Sequence, residues 1–250
     1  MANFKKIVYD LTPPLAWRST KRLVEGIRSK KNFNTPDGAS LIRHKKESVK
    51  GVFVHIHKCA GTSLIDSFVE NPYLISCIAR PGVFPGRTGR DEIPNEIFNR
   101  CFKFTFVRNP YARLVSAYKM FKSSLQWKDL FSNFDDFIRF IQWTNVHEHE
   151  VDQEYLIDDF VKRVEDIIHH CSSFHNPKYM IDQMDYIGRL ETLEDDLEQI
   201  AEILMIPPIS VKHLNKHSRN YNYRDYYSST SKQLVSNIYK KDIERFEYLF

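Results

Sequence analysis

The sequence predicts an α/β fold built on a buried parallel sheet. Two stretches carry that expectation, Gly51-Val-Phe-Val-His-Ile-His-Lys58 and Phe102-Lys-Phe-Thr-Phe-Val-Arg108, each a near-continuous apolar run that ends in a charged residue and passes directly into an amphipathic helix. Size is the third observation: 250 residues, 42% hydrophobic and 14% aromatic, can bury a full core in one domain and argue against extensive disorder.

Taken in order, Pro13-Pro14 gives way to a helical pattern through Leu15, Trp17, Leu23, Val24 and Ile27, interleaved with Arg18, Lys21, Arg22 and Arg28. Residues 32–50, with Asn34-Thr-Pro-Asp-Gly38, read as a linker, so the chain divides into 1–50, a basic helix and linker, and 51–250, the main domain. A strand at 52–56, a loop at 57–62 and a helix at 63–70 form the first unit, followed by a short strand at Tyr73–Ile78. Residues 80–94 read as a Gly/Pro-rich loop of the length that usually serves function. The strand at 102–107 leads to Asn109, which caps a helix with Pro110 in its first position. Tyr111, Leu114, Val115, Tyr118 and Phe121 form its apolar stripe, leaving Arg113, Ser116 and Lys119 toward another face. From Phe131 to His170 the pattern is helical; Tyr186–Arg189 is a short strand, and Thr192 with Asp195 gives a near capping box for a helix at Leu193–Leu204. Ser228–Ser231 caps one last helix with the stripe Leu234, Val235, Ile238, Ile243, Phe246.

Charge placement says more than the net +4, because residues 1–50 carry +8 and the remainder −4. A basic helix of this kind can lie on an anionic membrane surface. No apolar run reaches the length of a membrane span, and Met1-Ala-Asn-Phe-Lys-Lys lacks the apolar core of a signal peptide. The expectation is a cytoplasmic protein, peripheral at the inner membrane face. Cys59, Cys77, Cys101 and Cys171 show no CxxC pairing and read as buried thiols; Cys59, beside Lys58 at a helix start, is the one whose pKa could fall.

Chemistry concentrates at the first strand-to-helix junction. Gly61, Thr62 and Ser63 let a tight loop present N–H groups and hydroxyls where the helix dipole favours an anion, and Lys58 adds a mobile charge. The second junction repeats the plan with Arg108 and, one helix face on, Ser116.

This pair resembles the two phosphosulfate-binding elements of sulfotransferases that use 3′-phosphoadenosine-5′-phosphosulfate (PAPS). The resemblance implies that Lys58, Cys59, Ala60, Gly61, Thr62 and Ser63 hold the 5′-phosphosulfate and that Arg108 and Ser116 hold the 3′-phosphate. Tyr186-Ile-Gly-Arg189-Leu-Glu191-Thr-Leu-Glu-Asp195 and Leu214-Asn215-Lys216-His-Ser-Arg219 are similar to blocks of the carbohydrate-modifying branch, in its bacterial form, with Lys216 and Arg219 closing over the nucleotide. It further implies a three-layer P-loop-like α/β fold, a glycan or glycolipid hydroxyl as acceptor, and no metal.

The chain departs from that family at Gly86, where many bacterial members carry a candidate base histidine, and at His57, where the family usually has proline. Lys58 is expected to act on the leaving group, while His57 and Glu92 lead the candidates for the base, with histidines of 147–175, among them His169, His170 and His175, as the remaining choice. A P-loop kinase is the competing reading, but Lys58 precedes the glycine by three residues and no acidic strand end stands where Mg²⁺ would need it. Nucleic-acid binding through the basic segment would leave the paired anion sites unexplained, and His147-Glu-His149 with His169-His170 lack a zinc framework.

Overall fold

The strand β1 (Gly51–His55) is buried along its whole length because it lies mid-sheet with helices on both faces. The computed structural model describes residues 42–43, 45–78, 83–84, 87–124, 130–146, 166–211 and 221–250. The basic helix expected before residue 32 lies outside them. The other strands are β2 (Leu74–Ile78), β3 (Val83–Phe84), β4 (Arg87–Gly89), β5 (Phe102–Val107) and β6 (Tyr186–Arg189). Their order is β3-β4-β2-β1-β5-β6. All neighbours pair in parallel except β3, which runs antiparallel to β4 at the edge. Residues 80–94 are therefore not one loop, since β3 and β4 fall within them.

The helices are α1 (Gly61–Glu70), α2 (Asn95–Arg100), α3 (Pro110–Ser123), α4 (Phe134–Val146), α5 (Leu193–Leu204), α6 (Ser229–Ile238) and α7 (Lys240–Arg245), with a helical segment at 166–171. Alternation along β1 sorts them into layers. Phe53 joins Phe104 and Phe106 against α1 and α5, while Val52 and Val54 face the other way, onto Ile75, Cys77 and the α2 residues Ile97 and Phe98. This is the expected three-layer α/β arrangement. A helical annex of α3, α4, 166–171 and α6 encloses its own apolar cluster around Leu114, Phe137 and Val235. No helix among the described residues is long and apolar enough to cross a membrane.

Several local expectations are corrected. Residues 42–50 are not a free linker: Ile42 and Val49 are buried in the α2-side core, and Lys45 and Lys50 terminate helices. The Lys45 ammonium donates to the carbonyls of Phe68, Val69 and Asn71 at the end of α1 and to Leu74 of β2, at 2.6–3.2 Å. Lys50 does the same for Leu204 and Met205 at the end of α5. Thr192 forms no capping box, because its hydroxyl donates instead to Asp196, which also takes the Arg189 N–H and the Tyr186 hydroxyl. The last apolar stripe spans two helices, not one: Tyr239, buried, leaves helical geometry and sends its hydroxyl to the Cys171 carbonyl. Ser228 and Ser231 do form the capping box of α6.

Lys45→Met keeps the aliphatic stem and deletes the charge that closes α1. Urea denaturation should show a loss of about 2–3 kcal/mol, the scale of charged hydrogen bonds at a helix C-terminus. An unchanged midpoint would mean that water replaces the ammonium at no cost.

Candidate active site

In an open parallel sheet, ligands bind beyond the carboxyl ends of the strands where the chain's direction of winding reverses. From β1 the chain winds outward through β2 and β4, then returns to place β5 on the other side of β1, so the reversal lies between β1 and β5. The loops that follow those two strands are the ones that carry Lys58 and Arg108. A cavity of about 810 Å³ sits there, lined by His57, Lys58, Ala60, Gly61, Thr62, Ser63, Arg108 and Ser116.

The first loop is held in an unusual backbone path. Lys58 and Ala60 both adopt the left-handed region, with φ of 67° and 60°. Gly61, next in line, has no room for a side chain: a Cβ there would lie 1.8 Å from Nε2 of His55. The helix α1 then begins with no side-chain cap and no acid in its first turn, which leaves its N-terminal end suited to an anion. Burial, and secondarily Arg108, lowers the Lys58 pKa to about 8. Its Nζ lies 3.4 Å from Sδ of Met120.

The second junction differs. Asn109 caps α3 by accepting from the Tyr111 N–H, and Glu191 accepts from the Asn109 N–H at 2.8 Å. The Tyr111 N–H at the start of α3 is thus already taken, and the groups that line the cavity on this side are Arg108 and Ser116. Arg108 Nη1 also donates to the Lys58 carbonyl at 3.3 Å, joining the two loops.

Arg113, expected on an open face of α3, is instead 1% exposed. It donates to three carbonyls: Nε to His57 at 3.0 Å, Nη1 to Ser172 at 2.7 Å and Nη2 to His170 at 3.2 Å. That fork brings the segment 166–172 against the first loop. His57 consequently packs at 4.1 Å from His169 and 4.5 Å from His170, ring centroid to ring centroid, with His55 at 4.7 Å. Burial first, and then His55, His170, His169 and Arg113, hold the His57 pKa well below the usual imidazole value. No group of three or more metal-type side chains among the described residues is placed to hold a metal ion.

Not every expected residue meets the cavity. Cys59 is buried beneath the loop rather than lining it, and burial pushes its thiol up to about 11, so it is inert. All four cysteines are free and buried. Glu92 is exposed on the turn after β4 and does not line the cavity. Lys216 and Arg219 lie outside the described residues, as does Gly86. His175 is bound to buried Asp242 at 2.8 Å, away from the cavity. The wall also includes residues 190–195, part of the block that resembles the carbohydrate-modifying branch, and His55, Met120 and Asp166, which the sequence does not single out. His55 alone left a local sign, its position two residues after Phe53 on the same strand face.

A family model described as the sulfotransferase family matches residues 83–249, more than half of the chain. The match includes Arg108, Ser116 and the 166–172 segment and begins after the Lys58 loop. No curated protein and no solved structure matches the chain.

Arg113→Ala would leave the His57, His170 and Ser172 carbonyls without their donor and open a hole at the base of the site. At roughly 1–3 kcal/mol per orphaned buried group, partly relieved by water, the expected loss is about 3–5 kcal/mol, measured by urea unfolding. A loss below 1 kcal/mol would show that the fork is dispensable.

Proposed function

Because the chain belongs to the sulfotransferase family, we propose that it transfers the sulfuryl group of PAPS to a hydroxyl of a glycan or glycolipid. The observation that carries the donor assignment is the single cavity shared by the Lys58–Ser63 loop, Arg108 and Ser116. Its volume falls in the range of roughly 300–1,000 Å³ typical of ligand and cofactor sites. Its cationic and N–H-rich end suits an anionic donor, and the donor supplies the activated sulfuryl group.

The residues then divide the work. Lys58 and the first turn of α1 hold the 5′-phosphosulfate, and their interaction strengthens as charge collects on the departing phosphate, which is what accelerates the chemical step. Arg108 forks onto the 3′-phosphate while Ser116 donates its hydroxyl, a contact that AMP and ATP cannot make. The resemblance assigns Lys216 and Arg219 to nucleotide binding as well. The acceptor class rests on the resemblance of the Tyr186–Asp196 and Leu214–Arg219 blocks to the carbohydrate-modifying branch. The first of those blocks has a structural task as well, tying β6 to α5 through Tyr186 and Asp196.

Calorimetry with 3′-phosphoadenosine 5′-phosphate (PAP), AMP and ATP tests the donor, and ³⁵S transfer from PAPS to a panel of methyl glycosides and glycolipids tests the acceptor. PAP should bind far more tightly than AMP, and Arg108→Ala should cost about 2–4 kcal/mol of that binding. Equal affinity for PAP and AMP would sink the donor assignment.

Lys58 sets a pH dependence. Its ammonium is the binding form, and a bound anion raises its pKa, so PAP affinity should fall as pH rises through about 8. The loss should be about tenfold between pH 7 and pH 9, a range in which the phosphates no longer titrate. Lys58→Met should bind more weakly and lose that slope; an unaltered slope would assign it to another group.

A further inference from the structure

We infer that His170 is the general base that takes the acceptor's proton, an inference that rests on the sulfuryl-transfer reading of the cavity. His170 stands in the helical segment 166–171 and lines the same cavity as Lys58, Arg108 and Ser116. Its Nδ1 lies 2.7 Å from the carbonyl oxygen of Asp166. A carbonyl only accepts, so Nδ1 carries the ring proton and Nε2 holds the lone pair. The main chain of His170 is fixed as well. Its carbonyl accepts from Nη2 of Arg113, and Nε of the same guanidinium holds the carbonyl of His57. One rigid planar group thereby sets the spacing between the wall that bears His170 and the loop that bears Lys58.

The other candidates fall away for separate reasons. Glu92 is exposed and off the cavity, and His175 is engaged by Asp242 elsewhere. His169 shares the wall, but its Nδ1 faces the Lys178 ammonium at 3.4 Å and its Nε2 is buried, so neither ring nitrogen is open to an acceptor hydroxyl. His57 has its Nδ1 buried without a hydrogen-bond partner. An orphaned N–H is rarer in proteins than an orphaned acceptor, which puts the His57 proton on Nε2 and makes that nitrogen a donor and not a proton acceptor. The crowding that disfavours its charged form also makes it a poor proton acceptor. The titratable and charged groups around His170 are His57 and His169 against its ring, Arg113 at its carbonyl, and His55, Lys58, Arg108, Asp166, Glu191, Glu194 and Asp195 on the wall of the shared cavity.

The step balances. As the acceptor oxygen forms its bond to sulfur, its proton passes to Nε2 of His170. The bond between sulfur and the 5′-phosphate oxygen breaks, and its electron pair leaves on that oxygen, beside Lys58. The imidazolium returns its proton to solvent after the products depart.

Wild type, His170→Ala and His170→Gln, all as the full chain, should be compared for PAP binding and for PAP release from PAPS, first with water and then with methyl glycosides as acceptor. Both variants should release PAP at least about a hundredfold more slowly while binding it within about threefold of wild type. The acid limb of the wild-type rate–pH profile should vanish in His170→Gln. A readout independent of turnover is ¹⁵N NMR of the imidazoles in the PAP complex, which should show His170 protonated at Nδ1 and not at Nε2. Wild-type rates in His170→Gln, or an Nε2–H tautomer for His170, would overturn the assignment. Wild type that fails to bind PAP would instead bring down the donor reading, and this inference with it, so the two failures are told apart by the binding arm.

Discussion

A guanidinium buried to 1% exposure, with no carboxylate bridging it among the described residues, organises this protein. Arg113 answers three carbonyls and rests on the Phe174 ring at 4.7 Å. Burying an unpaired charge is expensive unless fixed dipoles replace its water, and three carbonyls aimed at one planar fork supply them. A lysine could not do the same, since its point charge cannot hold three acceptors in one plane. The charge that stays near the cavity as a result also bears on Lys58 and His57, both of which it disfavours in their protonated forms.

The two strand-to-helix junctions look alike in sequence and differ in chemistry. At α1 the helix start is left to the cavity, without cap or acid; at α3, Asn109 and Glu191 have already used it. Helix starts attract anions only while their N–H groups are unclaimed. Under the proposed donor assignment, one junction would therefore work through backbone and dipole and the other through a side-chain fork. Their adjacency follows from strand order, because β1 and β5 are neighbours on either side of the winding reversal.

What the sequence made legible was local. Continuous apolar runs, Pro110 after Asn109 and the Gly61-Thr62-Ser63 loop each declare themselves within a few residues, so β1, β5 and both junctions could be placed. Arg113 could not be read correctly, because periodicity says which face of α3 it occupies and not that 166–172 covers that face. The same missing contact hid the pairing of His57 with His169 and His170. Residues 42–50 looked like a linker because lysines look solvated, whereas Lys45 and Lys50 use their charges to close helices. At Tyr239 the helical period ran on through a break that a single buried side chain imposes.

The left-handed backbone at Lys58 and Ala60 has an evolutionary consequence. Glycine would relax both positions, and relief of such strain is worth on the order of 1 kcal/mol at each. At 58, however, glycine has no side chain with which to carry charge. Given the role proposed for Lys58, selection for robustness and selection for chemistry thus pull in opposite directions at one residue. A lineage released from its enzymatic duty would be expected to drift first here, toward a calmer loop that no longer has anything to say to an anion.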